Sequence, residues 1–323
     1  MFDITTLNSL SQAVLILISV VVVKLITANF ITSSQLNFFQ FYCRRLSDKV
    51  NKPQNSSSQQ KIAGLVAMAI TIAPVITILW LFEAFIEVDW LWQSVLLYFA
   101  LGSCNIAQQS TKICQYLSSN QKYQAKAVLS PLVLRDTEQL STLGLTKATI
   151  EMQLLRAIQE YFVVAMLFII FGPLMAISYR LILEMHYSWN SKQQAFSSFG
   201  LHSHYIINLI QWFPARIFTL VLLLSNIGQN FSLISRLIAP HFFKLNNDVA
   251  ICCLAYSLET KLGGVAMYNQ IKLRKPSFND KARQPEVVDI KQGKNRIQYV
   301  FVFSIICLVL TTVLGQVISN TYR

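Results

Sequence analysis

The sequence predicts an all-α, polytopic membrane protein with about six transmembrane helices and polar helical segments between them. Two compositional facts lead there: 54% of the 323 residues are hydrophobic and only 13% are charged, against about 25% charged in soluble domains. The third observation is arrangement. The apolar residues gather into runs close to the roughly 20 residues that a helix needs to cross a bilayer.

Taken in order, residues 10–31 form the first expected span, Val- and Ile-rich, with Lys24 near its end placed to snorkel toward the interface. A basic loop follows, with Arg44, Arg45, Lys49, Lys52 and Lys61, and its stretch 53–60 reads as a flexible linker. Residues 62–82, interrupted by Pro74, and residues 90–106, opened by Trp90 and Trp92, form a hairpin of spans with Glu83, Glu87 and Asp89 in its turn. From 107 to 159 the chain is polar, with apolar positions at helical spacing; this predicts two or three helices, the last running into the membrane. A fourth span is expected over 161–183 with Gly172-Pro173 as a break at mid-membrane, a fifth over 205–227 and a sixth over 298–318. The organisation is therefore five parts: membrane region 1–106, helical segment 107–159, membrane pair 160–228, basic segment 229–297 and anchor 298–323.

The net charge of +12 comes from 27 basic and 15 acidic residues. Of the basic ones, 22 lie in the loops after spans one, three and five. By the positive-inside rule these large loops face the cytosol of a bacterial inner membrane, and both termini face away. The excess charge is thus orientation, and no nucleic-acid-binding motif accompanies it. The bilayer is the first expected partner, and an unidentified signalling protein or small ligand a second. The six cysteines fall at no metal or disulfide spacing. His202 and His204 have no carboxylate or thiol at ligand spacing, so no metal site is expected.

Two features point to function. Arg135, Asp136 and Thr137 stand together after an apolar turn containing Pro131, and Arg216 sits inside an apolar run. A charge at bilayer depth costs about 2.5–3.5 kcal/mol on insertion scales, so such a residue marks a site or pairs within the bundle. Glu184 and Glu160 are the partners expected for Arg216. For Asp136 and Thr137 the structural alternative is a cap on the following helix, with Arg135 paired to a carboxylate.

These residues also belong to a longer series. Ala125-Lys126-Ala127-Val128-Leu129-Ser130 leads to Arg135-Asp136-Thr137, then Ala148-Thr149-Ile150-Glu151, Ala165-Met166-Leu167-Phe168, Ser178-Tyr179-Arg180, Phe199-Gly200, Pro214-Ala215-Arg216, and Leu262-Gly263-Gly264 with Tyr268 and Lys275-Pro276. In that order they resemble the motifs of the CobD/CbiB family of inner-membrane cobalamin-biosynthesis proteins and of its regulatory offshoot AmpE, associated with β-lactamase induction. The candidate ligand-binding residues are Arg135, Asp136, Thr137, Glu151, Arg180, Arg216 and Tyr268, all within these motifs. The resemblance also shows departures. The family's synthetases carry a Glu-Asn pair and an Asp after the phrase matched at 148–151, and Asn-Thr-Leu-Asp after the one matched at 178–180; here stand Gln153 to Gln159 and Leu181 to Glu184.

An enzyme that joins an amine to a carboxylate with ATP needs acids to hold Mg²⁺ and move protons. Only Asp136, Glu151, Glu160 and Glu184 could substitute, and no Gly-rich phosphate loop of the G-x-x-x-x-G-K type occurs. The leading expectation is therefore a non-enzymatic regulatory protein of AmpE type, without catalytic residues or cofactors. The alternative is ATP- and Mg²⁺-dependent amide synthesis joining aminopropanol or its phosphate to cobyric acid. A transporter or channel stays open as a third reading on Arg216, Pro74 and Gly172-Pro173. Under any of them, stretches 125–151 and 262–276 are expected to fold together over the inner ends of spans four and five. That would gather Arg135, Asp136, Glu151, Tyr268 and Arg216 around one cavity.

Overall fold

A computed structural model describes residues 9–28, 36–103, 105–227 and 231–321. Its helices, in chain order, are α1 (Ser9–Thr27), α2 (Asn37–Val50), α3 (Ser57–Glu83), α4 (Asp89–Ala100), α5 (Ile106–Ser118), α6 (Lys122–Leu129), α7 (Thr142–Arg156), α8 (Val163–Phe171), α9 (Pro173–Ser188), α10 (Leu201–Leu224), α11 (Phe231–Ile238), α12 (Asp248–Ser257) and α13 (Val287–Thr321). The helical class expected from composition is the one observed. It carries one addition, a two-stranded antiparallel hairpin of β1 (Leu262–Tyr268) and β2 (Ile271–Phe278).

Among the described residues, five helices are long and apolar enough to cross a membrane: α1, α3, the continuous helix 142–171, α10 and α13. The expected third span does not join them. Its helix α4 has only 12 residues, about 18 Å at 1.5 Å per residue, too short for a core of about 30 Å. Lys24 of α1 donates to the carbonyls of Tyr98 and Leu101 at the α4 C-terminus. It is therefore buried, where snorkelling was expected.

The expected fourth span is also redrawn. Gly172-Pro173 is a turn and not a break at mid-membrane, since α9 folds back along α8. Gly172 takes φ +83°, a left-handed conformation that stops α8, and Pro173 at the first helical position starts α9. The fold-back is visible in pairs such as Tyr179 Oη to the Gln159 carbonyl, 2.9 Å apart across 20 residues of sequence. Residues 161–183 are thus halves of two helices. The long apolar helix starts earlier, at Thr142, N-capped by Ser141.

The stretch read as a flexible linker is ordered from Ser56 onward. Ser56 and Gln59 form a reciprocal capping box at the start of α3. Helix α9 occupies the centre, packed on α2, α3, α4, α8 and α10. Outside it, α1, α3 and α13 leave long rows of apolar side chains exposed, as a lipid-facing surface does. The β-hairpin sits on α12 and α7.

Candidate functional site

Two polar clusters stand out, at different depths. The first lies where the loop before α7 meets the β-hairpin. Arg135 donates to Glu151 of α7 at 2.8 Å, and the other Glu151 oxygen accepts from the Gly263 amide at 3.0 Å. Asp136 reaches the hairpin tip: its amide donates to the Met267 carbonyl at 2.9 Å, and its carboxylate accepts from the amides of Asn269 (3.3 Å) and Gln270 (2.8 Å). Asn269 and Gln270 both have positive φ, the conformation a two-residue hairpin turn demands. The carboxylate thus satisfies the two amides of a turn built without glycine. At the other end, Gly263 has φ +76° beside a bulge, and a Cβ there would lie 2.3 Å from the Pro276 carbonyl oxygen.

Three of the residues expected to gather, Arg135, Asp136 and Glu151, come together at the hairpin; Tyr268 is buried on β1 next to Met267, and Thr137 is buried too. None of them lines the cavity between α1, the helix 142–171 and α13. Neither Asp136 nor Thr137 caps the next helix, because Ser141 does so. The expected pairing of Arg135 with a carboxylate is present. Arg216 does not join, nor does it pair with Glu160 or Glu184. Its guanidinium donates to the carbonyls of Trp212, Phe243 and Leu245 and stacks 3.8 Å from the Trp212 ring centroid. It ties α10 to the segment before α12.

The second cluster is buried in the bundle, on a π-helical stretch (Ala157–Phe162) between α7 and α8. Such widened turns occur often at functional sites. Glu160, 1% exposed, accepts from Arg156 at 2.8 Å and faces Arg180 at 3.5 Å. Arg180 reaches Glu184 at 2.5 Å, and Glu184 also accepts from Gln40 of α2 at 2.6 Å. Two arginines and two glutamates thus make a neutral quartet. Beside it, Gln159 accepts from Tyr187 (2.9 Å) and donates to Gln211 (3.2 Å), Gln211 donates to Tyr179 (2.8 Å), and Asn247 donates to Gln211. Arg180 was singled out from the sequence, but Gln159, Tyr179, Tyr187, Gln211 and Asn247 were not. A signal did exist: the i,i+4 pairs 156/160 and 180/184 flank the Gly172 turn, and Glu160 and Glu184 each lie 12 residues from it.

The Mg²⁺ implied for a synthetase would need carboxylate oxygens. Glu151 commits both of its own, and Glu160 and Glu184 are held by arginines. Among the described residues no three His, Cys, Asp or Glu side chains cluster. This donor set does not fit a protein-held Mg²⁺ ion. Of the four acids, Asp136 alone is half-exposed and bound by backbone amides with no cation.

A sequence profile for the CobD/Cbib protein family matches residues 35–296. The cobalamin biosynthesis protein CobD of Stutzerimonas stutzeri is 26% identical over 227 residues, covering 70% of this chain and 75% of that protein. Its namesake in Chromobacterium violaceum is 26% identical over 219 residues (68% and 70%), and that of Leptospira interrogans 24% over 255 residues (76% and 81%). No solved structure matches the chain. These relatives favour the cobalamin-biosynthesis alternative over the regulatory expectation, which none of them supports.

Proposed function

The chain belongs to the CobD/CbiB family, and from that premise we propose that it is a membrane-embedded enzyme of cobalamin biosynthesis. The reaction the resemblance implies is ATP-dependent amide formation between aminopropanol, or its phosphate, and cobyric acid. One observation carries the reading: motif residues 112 positions apart, Glu151 and Gly263, are joined by a hydrogen bond through which Arg135 is also held. A scaffold that needed only helix packing would have no call for this junction at its polar end.

As the amine displaces phosphate from a carboxyl group that ATP would activate, it must lose a proton, and the Asp136 carboxylate would accept it as general base. Arg135 and Glu151 act as positioning residues, holding the loop that carries Asp136 against the hairpin. Lys147 lies one turn before Glu151 on α7, and Lys261, ion-paired with Asp280 at 2.8 Å, precedes β1. Lys147 supplies positive charge for a phosphorylated substrate. The basic segments carrying these groups face the cytosol in this reading, where nucleotide is available.

The test is complementation of a host lacking its own cobinamide synthetase, supplied with cobyric acid. Growth is expected with the natural chain and at least about tenfold slower cobalamin formation with Asp136→Asn, an effect of about 1.4 kcal/mol on the barrier. Growth unchanged by Asp136→Asn would remove that residue from the chemistry. No growth, with the protein found in the membrane, would overturn the synthetase reading and return attention to a regulatory role assayed through β-lactamase induction.

A further inference from the structure

A cavity of about 840 Å³ lies between α1, the helix 142–171 and α13, within the range of small-molecule sites. Its walls are apolar along most of their length, with Leu17, Ala165, Ile169 and Phe301 among them. From Gln153 to Ile169 it follows the helix for about 24 Å at 1.5 Å per residue, longer than one leaflet's share, about 15 Å, of the hydrocarbon core. It continues into the lipid-facing rows of α1 and α13, where Val22, Leu25 and Leu310 are exposed.

One end is chemically different. Gln153 is 4% exposed, lines the cavity, and neither its Nε2 nor its Oε1 has a hydrogen-bond partner. A buried amide left so keeps the full desolvation cost of its polar atoms, which a ligand offering both an acceptor and a donor would recover. Lys294 lines the same end and donates to Thr111 Oγ1 at 3.3 Å; among the described residues it pairs with no carboxylate. Lys24, which also lines the cavity, is turned to the carbonyls of Tyr98 and Leu101.

We propose that this cavity is a binding site for an anionic glycerol phospholipid of the surrounding bilayer. One acyl chain fills the apolar length, the phosphate accepts from Lys294 and the Gln153 Nε2, and a headgroup hydroxyl donates to the Gln153 Oε1. A choline headgroup has no such donor and carries a compensating positive charge, so phosphatidylglycerol is preferred over phosphatidylcholine.

The experiment reconstitutes the full chain in nanodiscs with equal parts of phosphatidylglycerol and phosphatidylcholine of matched acyl chains. Native mass spectrometry after mild detergent release then counts what stays bound. The expected result is one retained lipid with about a tenfold preference for phosphatidylglycerol, falling to near parity in Gln153→Leu or Lys294→Gln. Ala165→Trp, which fills the apolar part, should remove the retained lipid whatever its headgroup. Equal retention of the two lipids, no retained lipid, or a preference that survives both polar substitutions would overturn the site.

Discussion

The junction at the hairpin and the quartet in the bundle are both built from arginines and carboxylates, yet they are held in different ways. At the junction each carboxylate bonds to backbone: Glu151 to the Gly263 amide, Asp136 to the turn amides at 269 and 270. In the quartet Glu160 meets only side-chain cations through its carboxylate, and Arg180 and Glu184 are 4% and 1% exposed. Backbone-held carboxylates fix where a loop sits, and they leave one acid, Asp136, half-exposed. A neutral buried quartet fixes how helices pair and leaves no charge available to a substrate. The contrast is the reason the proposed chemistry is put at the junction, and the quartet is left to set how the helices pair.

Breaking the quartet should have the largest effect. Glu160→Gln leaves Arg156 and Arg180 with one carboxylate between them, at a cost of about 3–5 kcal/mol for an uncompensated buried charge. Thermal unfolding in detergent should show it. A loss below 1 kcal/mol would mean that water reaches the quartet, and would remove the distinction drawn here.

At the junction, Arg135→Ala should cost less, about 1–3 kcal/mol, because Glu151 keeps the Gly263 amide as a partner. Cobalamin formation should fall more than stability does, and a parallel fall of both would make the junction purely structural.

The smallest effect concerns Asp280, which the hydrogen bond from Lys261, then that from Ser277, holds below the ordinary carboxylate range. With the folded pKa lowered, this stabilisation is present above the unfolded value of 3.8 and is lost as pH falls through the folded one. Wild type and Asp280→Asn should therefore differ in melting at pH 7, keep that difference down to pH 3.8, and converge only as pH falls through the lowered folded pKa below it. A difference that widens in acid would sink the assignment.

Much of this was legible in one dimension. Low charge and long apolar runs determined the helical membrane class, because a bilayer core leaves the backbone no other way to satisfy its hydrogen bonds among apolar residues. The ordered motif series pointed to Arg135, Asp136 and Glu151, which come together at the hairpin, but also to Arg216, which does not join them. Three things were decided only in three dimensions. Hydropathy cannot tell one span of 161–183 from two halves joined at Gly172, since both are equally apolar; the positive φ of Gly172 and the packing of α9 on α8 decided it. The partners of the buried carboxylates were Arg156 and Arg180 and not Arg216, because helix rotation sets which arginines face Glu160 and Glu184. The Gln159, Tyr179 and Gln211 network was invisible for the same reason: neutral polar residues on three helices acquire a shared role only when the fold-back brings them together.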